Sequence, residues 1–279
     1  MSLEGLCNER MPAVAGTFYP QNRVELLSMI DAFLEEGSIN SCDFEGEEIK
    51  AFVLPHAGYI YSGRIAASAY VLLRESLSKA KIKRVILLGP THRVFVPGIV
   101  YDSSSFFTTP LGKIKVHRDS IKKISDFPFV LEMSAAYEGE HSLEVHLPFL
   151  QRVLDDFQIV PLLVGGVEEG KLLEVLKVLI EGHFREDGEV LIVVSTDLSH
   201  FLSFSKAREK DRATSKMIEN LDYKSLSDDR VCGAYPLRGF LRYAKEKAWK
   251  LTLIEQGDSS CVNGDRDRVV GYASYLVTA

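Results

Sequence analysis

The chain has 279 residues, of which 46% are hydrophobic and 26% are charged, and this size allows a sizeable core without disulfides or structural metals. Its 33 basic and 39 acidic residues give a net charge of −6, so the sequence has no electrostatic footprint for nucleic acid or an anionic membrane. Every apolar run is far shorter than the ~20 residues of a membrane span, and the N-terminus lacks the apolar region of a secretory signal. We therefore expect a cytoplasmic protein that binds neither nucleic acid nor membranes.

The four cysteines are widely spaced and include no C-x-x-C pair, which argues against a disulfide scaffold and a zinc ribbon. They are Cys7, Cys42, Cys232 and Cys261, and we expect reduced thiols. No linker, low-complexity segment or repeat divides the sequence. A single domain over residues 1–279 is therefore predicted, with residues 1–10 as a loosely ordered leading segment.

The first third of the chain predicts a helix followed by a strand, a second helix and a second strand. Apolar residues recur at helical spacing over residues 24–34, and Gly37 is placed to end that helix. Short, uniformly apolar runs at 51–54 and 84–88 flank a helical pattern at 64–77. Continuous apolar strands of this kind are typical of a parallel sheet that helices cover on both faces.

The rest of the chain predicts a hairpin and then a return to alternating helices and strands. The hairpin is predicted from segments 98–101, 105–108 and 113–116, with a turn at 110–112. Later helices are predicted at 143–154, 168–181, 206–220 and 237–247, and later strands at 158–164, 190–195, 251–255 and 269–276. The last two strands are expected to pair antiparallel at a sheet edge. The sequence thus predicts a single-domain α/β fold with a mostly parallel central sheet flanked by helices.

Three of these strands run directly into segments that carry histidine. The polar residues are His56 after the first strand, Thr91 and His92 after the second, and Asp197, Ser199 and His200 after the strand at 190–195. One histidine of this kind is more often a hydrogen-bonded structural residue than a ligand. Ligands of open α/β sheets bind at the carboxyl ends of strands, however, so three such placements predict one shared pocket.

A fourth polar cluster supplies two imidazoles and two carboxylates, from Glu140, His141, Glu144 and His146. If Ser142 caps a helix here, Glu144 and His146 point to different faces, whereas His141 lies at the helix start and can face a neighbouring pocket. The spacing differs from the H-E-x-x-H zinc motif. Acidic residues are also common at helix starts for structural reasons, so His141 is the better site candidate, and both interpretations stay open for Glu144 and His146.

Cys232 differs from the other cysteines because it lies just before a predicted helix, whose first turn would contain Pro236. A helix N-terminus favours the thiolate, which is the form that acts as a nucleophile or a metal ligand. An inert buried cysteine is the common alternative. The two remaining histidines, His117 and His183, are interpreted as surface residues.

Several common catalytic motifs do not occur in the sequence. There is no G-x-S-x-G nucleophile elbow, no G-x-x-x-x-G-K-[ST] phosphate loop and no G-x-G-x-x-G dinucleotide turn. Serine hydrolases, NTPases and Rossmann dehydrogenases are therefore excluded. Several imidazoles with one thiol and one carboxylate suit a transition metal, and residues so far apart in sequence can form such a site only through tertiary structure.

Six blocks of sequence resemble the Memo family and occur in the family order. They are P-A-V-A-G-T-F-Y-P at 12–20, P-H-A-G-Y-I-Y-S-G at 55–63, G-P-T-H at 89–92, E-H-S-L-E-V-H-L-P-F at 140–149, S-T-D-L-S-H at 195–200 and C-G at 232–233. The resemblance implies a fold similar to that of the class III extradiol, non-haem iron dioxygenases. Prokaryotic members of this family are often encoded beside an AMMECR-like protein and a radical SAM protein, which are therefore expected partners besides a small-molecule or peptide ligand.

The resemblance also implies roles for individual residues. By the family pattern, His56, His92 and Cys232 are metal ligands, and the thiolate takes the place of the carboxylate in the dioxygenase triad. His200 corresponds to the acid–base histidine of the dioxygenases and is the candidate general base, with Asp197 and His141 as pocket or supporting groups. The further substrate-pocket candidates are Tyr59, Tyr61, Thr91, Glu144 and His146.

Three functions fit such a site. In a metal-dependent redox enzyme, Fe(II) or copper would activate O₂ or a small phenolic or thiol-bearing substrate. In a binding module, the same cleft, lined by Tyr59 and Tyr61, would recognise a peptide or a protein without turnover. In a hydrolase, zinc would activate water, or Cys232 would act as the nucleophile with a histidine base. The identity of the metal, and whether it has an exchangeable coordination position, separates the three.

Overall fold

The structure, a computed structural model, describes residues 8–37, 44, 47–76, 79–182 and 188–279. Its helices are α1 (Arg23–Glu36), α2 (Tyr59–Glu75), α3 (Arg118–Ile124), α4 (Leu147–Val153), α5 (Glu169–Glu181), α6 (Phe204–Glu219), α7 (Ala234–Glu246) and α8 (Ser260–Asn263). Its strands are β1 (Glu9–Arg10), β2 (Ile49–Leu54), β3 (Ile82–Gly89), β4 (Ile99–Tyr101), β5 (Phe106–Thr109), β6 (Gly112–Val116), β7 (Val130–Glu132), β8 (Gln158–Val164), β9 (Glu189–Ser195), β10 (His200–Leu202), β11 (Lys250–Asp258) and β12 (Val269–Thr278). Within these ranges, no helix combines the length and the apolar character that a membrane crossing requires.

One mixed sheet of twelve strands runs through the described part of the chain, in the order β1-β5-β6-β8-β3-β9-β2-β12-β10. At its centre, β8, β3, β9 and β2 are parallel neighbours. β12 lies antiparallel to β2, and β11 pairs antiparallel with β12. On the other side of the sheet centre, β4 pairs with β8, and β7 pairs with β4. The predicted α/β fold with a mostly parallel central sheet is confirmed, and so is the antiparallel pairing of the last two long strands.

The central strands are apolar along nearly their whole length. Phe52 and Val53 of β2 and Val193 and Val194 of β9 are fully buried, although successive side chains of a strand point to opposite faces of the sheet. Both faces are therefore out of water, as a parallel sheet between helices requires. Each such side chain stabilises the fold by ~1.5–3 kcal/mol, and the described elements share one continuous hydrophobic core.

The structure departs from the predicted elements mainly where segments are short. α3, β7 and β10 have seven, three and three residues, which is too short for a hydrophobic period to be recognised. The predicted hairpin is confirmed by β5 and β6. The predicted helix at 143–154 divides into a 3₁₀ turn at Glu144–His146 and α4. Ser142 does not cap it. The residue before the 3₁₀ turn is Leu143, which makes no side-chain capping bond, and the Ser142 hydroxyl donates to the carbonyl of Pro90 at 2.8 Å.

The interpretation of His117 as a surface residue is wrong, since the side chain is buried. His117 caps α3, where its Nδ1 accepts the backbone N–H of Ser120 at 3.1 Å. His183, Cys7 and Cys42 lie outside the described residues.

The last residues of the predicted leading segment, 1–10, form a strand of the sheet. Glu9–Arg10 pair in parallel with β5, and the Arg10 guanidinium forms an ion pair with the buried carboxylate of Asp102 at 2.8 Å. A buried carboxylate needs such a partner to compensate for the water that it loses. The leading segment is therefore part of the fold from Glu9 onward, and its residues 1–7 lie outside the described part of the chain.

Candidate metal centre

Three neighbouring strands bring the candidate ligands to one edge of the sheet. β3, β9 and β2 are adjacent and parallel, so their carboxyl ends lie side by side. His56 follows the end of β2, His92 follows β3, and Asp197 follows β9 between them. The strand order therefore brings His56, His92 and Asp197 together at the carboxyl edge of the sheet, as predicted.

The loop before α7 brings Cys232 to the same edge. The backbone N–H of Cys232 donates to the carbonyl of Asp197 at 3.3 Å, and the N–H of Gly233 donates to the Thr196 hydroxyl at 2.9 Å. A Cβ on Gly233 would lie 2.7 Å from the carbonyl oxygen of Ser195. Only glycine allows this loop to approach the end of β9 so closely.

His56, His92 and Cys232 form a compact set of nitrogen and sulfur donors. The Cys232 sulfur lies 3.1 Å from Nε2 of His56, and the ligand atoms of the three residues all lie within 4.8 Å of one another. The two imidazole rings meet edge to face, with centroids 5.1 Å apart. His56 is buried, Cys232 is half-buried and His92 is exposed, so the group opens to solvent on the side of His92. It could hold a metal ion.

A buried carboxylate holds His92 in place. Glu140 accepts the backbone N–H of His92 at 2.6 Å and contacts Nδ1 of the same residue at 2.9 Å. It also accepts the backbone N–H groups of His141 and Ser142. Burial alone would raise the pKa of Glu140, but the hydrogen bonds and the charge from His92 lower this pKa to about 2. A carboxylate behind a histidine is the usual support of a histidine ligand.

His56 is held from behind by Ser195 and Asp197. Its Nδ1 lies 2.6 Å from the Ser195 hydroxyl oxygen, and its backbone N–H donates to Oδ1 of Asp197 at 2.8 Å. The other carboxylate oxygen of Asp197 is 3.9 Å from Nε2 of His56. These contacts leave the His56 ring little freedom to rotate and direct its Nε2 towards Cys232.

Burial sets the protonation of the groups in this centre. It lowers the pKa of His56, to which the charge of His92 adds, and it raises the pKa of Asp197 to about 7. Burial, followed by the charge of Asp197, also raises the pKa of the Cys232 thiol. The predicted lowering of this pKa by the start of α7 is therefore wrong for the protein alone. A cation beside the sulfur would be needed to stabilise the thiolate.

His200 lies beside the centre, as the first residue of β10. The Nδ1 atom of His200 is 2.9 Å from the carbonyl oxygen of Leu198, so Nδ1 carries the hydrogen and Nε2 is the basic nitrogen of the neutral ring. His200 forms a second compact donor group with Asp197 and Cys232. Burial lowers the pKa of His200, so this nitrogen is available to take a proton at neutral pH.

His141 is packed between two rings. Its centroid lies 4.6 Å from that of His92 and 4.4 Å from that of Phe18. Its buried Nδ1 has no hydrogen-bond partner and lies 3.5 Å from the carboxylate of Glu140. Burial, followed by the charge of His92, lowers the pKa of His141 to about 4. The neutral ring therefore borders the centre with one unused nitrogen.

A pocket of about 320 Å³ adjoins the metal-ligand candidates. It is lined by Pro90, Thr91, His92, Arg93, Val94, Phe95, Val96, Val164, Gly165, Gly166, Asp228, Cys232 and Tyr235. Thr91 is thus the predicted pocket residue that lines it. Its volume suits a small molecule or the end of a peptide.

The other predicted pocket residues lie behind or beside the centre. Tyr59 is buried, and its hydroxyl donates to the carbonyl of Val145 at 2.7 Å. Glu144 holds the segment before α1, because its carboxylate accepts the N–H groups of Ala13 and Val14 and the hydroxyl of Tyr19. His146 is buried behind Ser195, with its Nε2 3.1 Å from the hydroxyl oxygen, and Tyr61 is half-buried in the first turn of α2.

Two residues of the centre were not assigned roles by the sequence. Glu140 had only its proximity to His141 in the chain as a signal, and nothing local indicated that it would reach His92. Ser195 is a small polar residue at the end of an apolar strand, a pattern that also fits a simple strand end. Both roles depend on contacts between segments that are 48 and 139 positions apart.

Comparison with known proteins places this chain in a family. The Memo-like protein family model matches residues 10–276. A MEMO1 family protein of Aquifex aeolicus is 34% identical over 278 residues, which cover 96% of this chain and 98% of the relative. A MEMO1 family protein of Metallosphaera sedula is 32% identical over 281 residues, which cover 95% and 97%.

The fold is also found in a solved structure that is distant in sequence. The crystal structure of an uncharacterized protein from Escherichia coli K12 superposes with a TM-score of 0.50 at 12% identity, and the match covers 82% of this chain and 99% of that one. At this identity the likeness concerns the fold alone. The family model and the curated relatives extend over nearly the whole chain, and this protein therefore belongs to the Memo family.

Proposed function

We propose that this protein is a metal-dependent oxidoreductase whose ion, Fe(II) or copper, is held by His56, His92 and Cys232. The proposal is carried by one observation, the convergence of two imidazoles and one thiol whose ligand atoms lie within 4.8 Å of one another. Imidazole and sulfur donors suit a redox-active transition metal better than Ca²⁺ or Mg²⁺. Three protein ligands would leave coordination positions open for exchange.

The supporting residues fit a metal ion as well as the ligands do. Nδ1 of His92 is hydrogen-bonded to Glu140, and Nδ1 of His56 is hydrogen-bonded to Ser195. Each ring therefore has Nε2 left to bind an ion. Burial raises the pKa of the Cys232 thiol in the protein alone, and a bound cation would supply the positive charge that stabilises the thiolate. When bound, the ion would supply electron transfer and the activation of O₂ or of a coordinating substrate.

The residues of this chain would bind the substrate and move its proton. The pocket beside His92 and Cys232 has apolar walls at Phe95 and Tyr235 and a cationic side chain at Arg93, which suits a small phenolic or thiol-bearing molecule. His200, with Nδ1 held by Leu198, would accept the hydroxyl or thiol proton at Nε2.

The test is metal loading under anaerobic conditions with matched cysteine variants. Protein reconstituted with Fe(II) is analysed for iron, and its nitric oxide adduct is recorded by EPR. We expect one iron per chain in the wild type and in Cys261→Ser, whose exposed sulfur lies outside the centre, and loss of bound iron in Cys232→Ser. Equal iron in both variants would contradict the ligand set. Tight binding of zinc alone would favour hydrolysis, and no uptake of any metal would favour a binding module.

A further inference from the structure

A chain of buried hydrogen bonds lies behind His56, on the side away from Cys232. It is centred on the hydroxyl of Ser195, the last residue of β9. The hydroxyl oxygen contacts the carbonyl oxygen of Ser142 at 2.5 Å, Nδ1 of His56 at 2.6 Å and Nε2 of His146 at 3.1 Å. All of these side chains are buried, so water does not compete for their hydrogen bonds.

The valence of the hydroxyl determines the direction of each bond. A serine hydroxyl has one hydrogen to donate and two lone pairs to accept with. The Ser142 carbonyl can only accept, so it takes the hydroxyl hydrogen. Both lone pairs of Ser195 are then available only to donors, and the two imidazoles must supply them. His56 therefore carries a hydrogen on Nδ1, and His146 carries one on Nε2.

The far end of this chain of hydrogen bonds, at His146, is fixed in the core. Nδ1 of His146 lies 3.2 Å from the hydroxyl oxygen of Tyr70, so in the neutral ring it accepts the tyrosine hydrogen. Tyr70 is fully buried and stacks on Phe149, with centroids 5.0 Å apart and planes 5° apart. A stacked ring in a packed core has one position, and that position determines where the His146 ring lies.

We propose that Ser195 and His146 are positioning residues that hold His56 in the tautomer with hydrogen on Nδ1, which leaves the lone pair of Nε2 facing the Cys232 sulfur. The inference rests on the metal centre of the proposed function. His56 would then be ready to bind an ion without a change of tautomer or ring orientation. The tautomer of the other imidazole, His92, is held by a different group, because the carboxylate of Glu140 contacts its Nδ1.

The first measurement determines the tautomer of His56 in the metal-free protein. Long-range ¹H–¹⁵N correlation spectra of protein labelled at histidine distinguish the two tautomers of each ring. We expect His56 with hydrogen on Nδ1 in the wild type and a loss of this preference in Ser195→Ala, because Nδ1–H then has no acceptor. Ser199→Ala is the matched control, since it removes another buried serine hydroxyl near the same strand end. A wild-type His56 with hydrogen on Nε2, or an unchanged tautomer in Ser195→Ala, would overturn the proposal.

The second measurement reads metal affinity by competition with a chromophoric chelator for Fe(II) or Zn²⁺. Loss of such a supporting partner costs about 10–100-fold in affinity, which we expect for Ser195→Ala and not for Ser199→Ala. His146→Gln keeps an N–H donor at the position of Nε2 and should bind metal more tightly than His146→Leu, which has none. Equal affinity in all four variants would overturn the positioning role.

The two measurements also separate this inference from the proposed function. A wild-type protein that binds no metal, but whose His56 carries hydrogen on Nδ1 through Ser195, would overturn the metal centre and support the tautomer assignment. Metal binding by a wild-type His56 with hydrogen on Nε2 before loading would support the centre and overturn the inference.

Discussion

Two carboxylates four residues apart show how neighbours decide the state of a buried acid. Glu140 and Glu144 are both buried acceptors of backbone N–H groups, and burial acts to raise the pKa of each. The imidazole of His92 lies against Glu140 and reverses the effect, which lowers its pKa to about 2. Glu144 has a tyrosine hydroxyl and backbone donors instead, and its pKa stays raised.

We expect Glu140→Gln to weaken both the fold and the metal centre. The new amide would turn one of the two acceptor oxygens into a donor. That donor would face either the backbone N–H of His92, which Oε2 accepts, or those of His141 and Ser142, which Oε1 accepts. An unsatisfied buried donor costs ~1–3 kcal/mol, and metal affinity should fall about 10–100-fold. Urea unfolding and chelator competition measure the two effects. Glu138→Gln, at an exposed position nearby, is the control, and similar losses in both variants would contradict the role of Glu140.

We expect His146 to make stability depend on pH. Burial lowers the pKa of His146 from 6.5 to about 3. Between these values the unfolded chain binds a proton that the folded protein does not, so the free energy of unfolding decreases as the pH falls. From pH 8 to pH 5 the wild type should lose about 2 kcal/mol more than His146→Gln. Urea unfolding at the two pH values tests this, and equal losses would show that His146 titrates normally in the folded state.

At the scale of elements, the junction between β9 and α7 sets the position of the sulfur ligand. Gly233 is the N-cap of α7 and directly follows Cys232. Its α-carbon faces the end of β9 so closely that a Cβ would meet the Ser195 carbonyl at 2.7 Å and the Thr196 side chain at 2.8 Å. Backbone atoms of a central strand cannot move aside without disturbing the sheet.

Gly233→Ala should therefore push the loop away from β9. We expect about 1–3 kcal/mol of lost stability from overpacking and weaker metal binding, because Cys232 moves with its neighbour. Gly166→Ala is the control, since a Cβ there would meet its nearest atoms at an ordinary 3.8 Å. Thermal unfolding and metal titration report the two effects. Full metal affinity in Gly233→Ala would show that the sulfur position does not depend on this contact.

At the scale of the whole molecule, the metal-ligand candidates join distant parts of the chain. His56 follows β2, His92 follows β3, and Cys232 precedes α7. The unfolded chain has no such site ready, so an ion that binds the folded protein adds its binding free energy to the stability of the whole sheet.

We expect metal to raise the unfolding midpoint of the wild type. At a free concentration 1,000 times the dissociation constant, the gain in stability is about 4 kcal/mol. A chelator should reverse it, and Cys232→Ser should show neither effect. Calorimetry with and without Fe(II) under anaerobic conditions measures the shift. An equal shift in Cys232→Ser would place the ion elsewhere in the protein.

The amino-acid sequence by itself determined the α/β class and the edge of the sheet where the candidate centre lies. Uniformly apolar strands at 51–54, 84–88 and 190–195 are stable only between covering helices, and polar residues directly after them can lie only at the carboxyl edge. The short strand that carries His200 was missed, because three residues show no period. The prediction of Ser142 as a cap is wrong, because the turn starts after Leu143, and the Ser142 hydroxyl donates to the distant Pro90 carbonyl.

Only the tertiary structure decided which polar groups support which imidazole. The order β3-β9-β2 places His56 and His92 on either side of β9, and the approach of Gly233 to Ser195 brings the sulfur to the same edge. The sequence favoured a thiolate from the start of a helix, whereas burial and Asp197 raise the pKa of the thiol. Such effects depend on distances of a few ångströms between residues far apart in the chain, and local sequence patterns do not encode those distances.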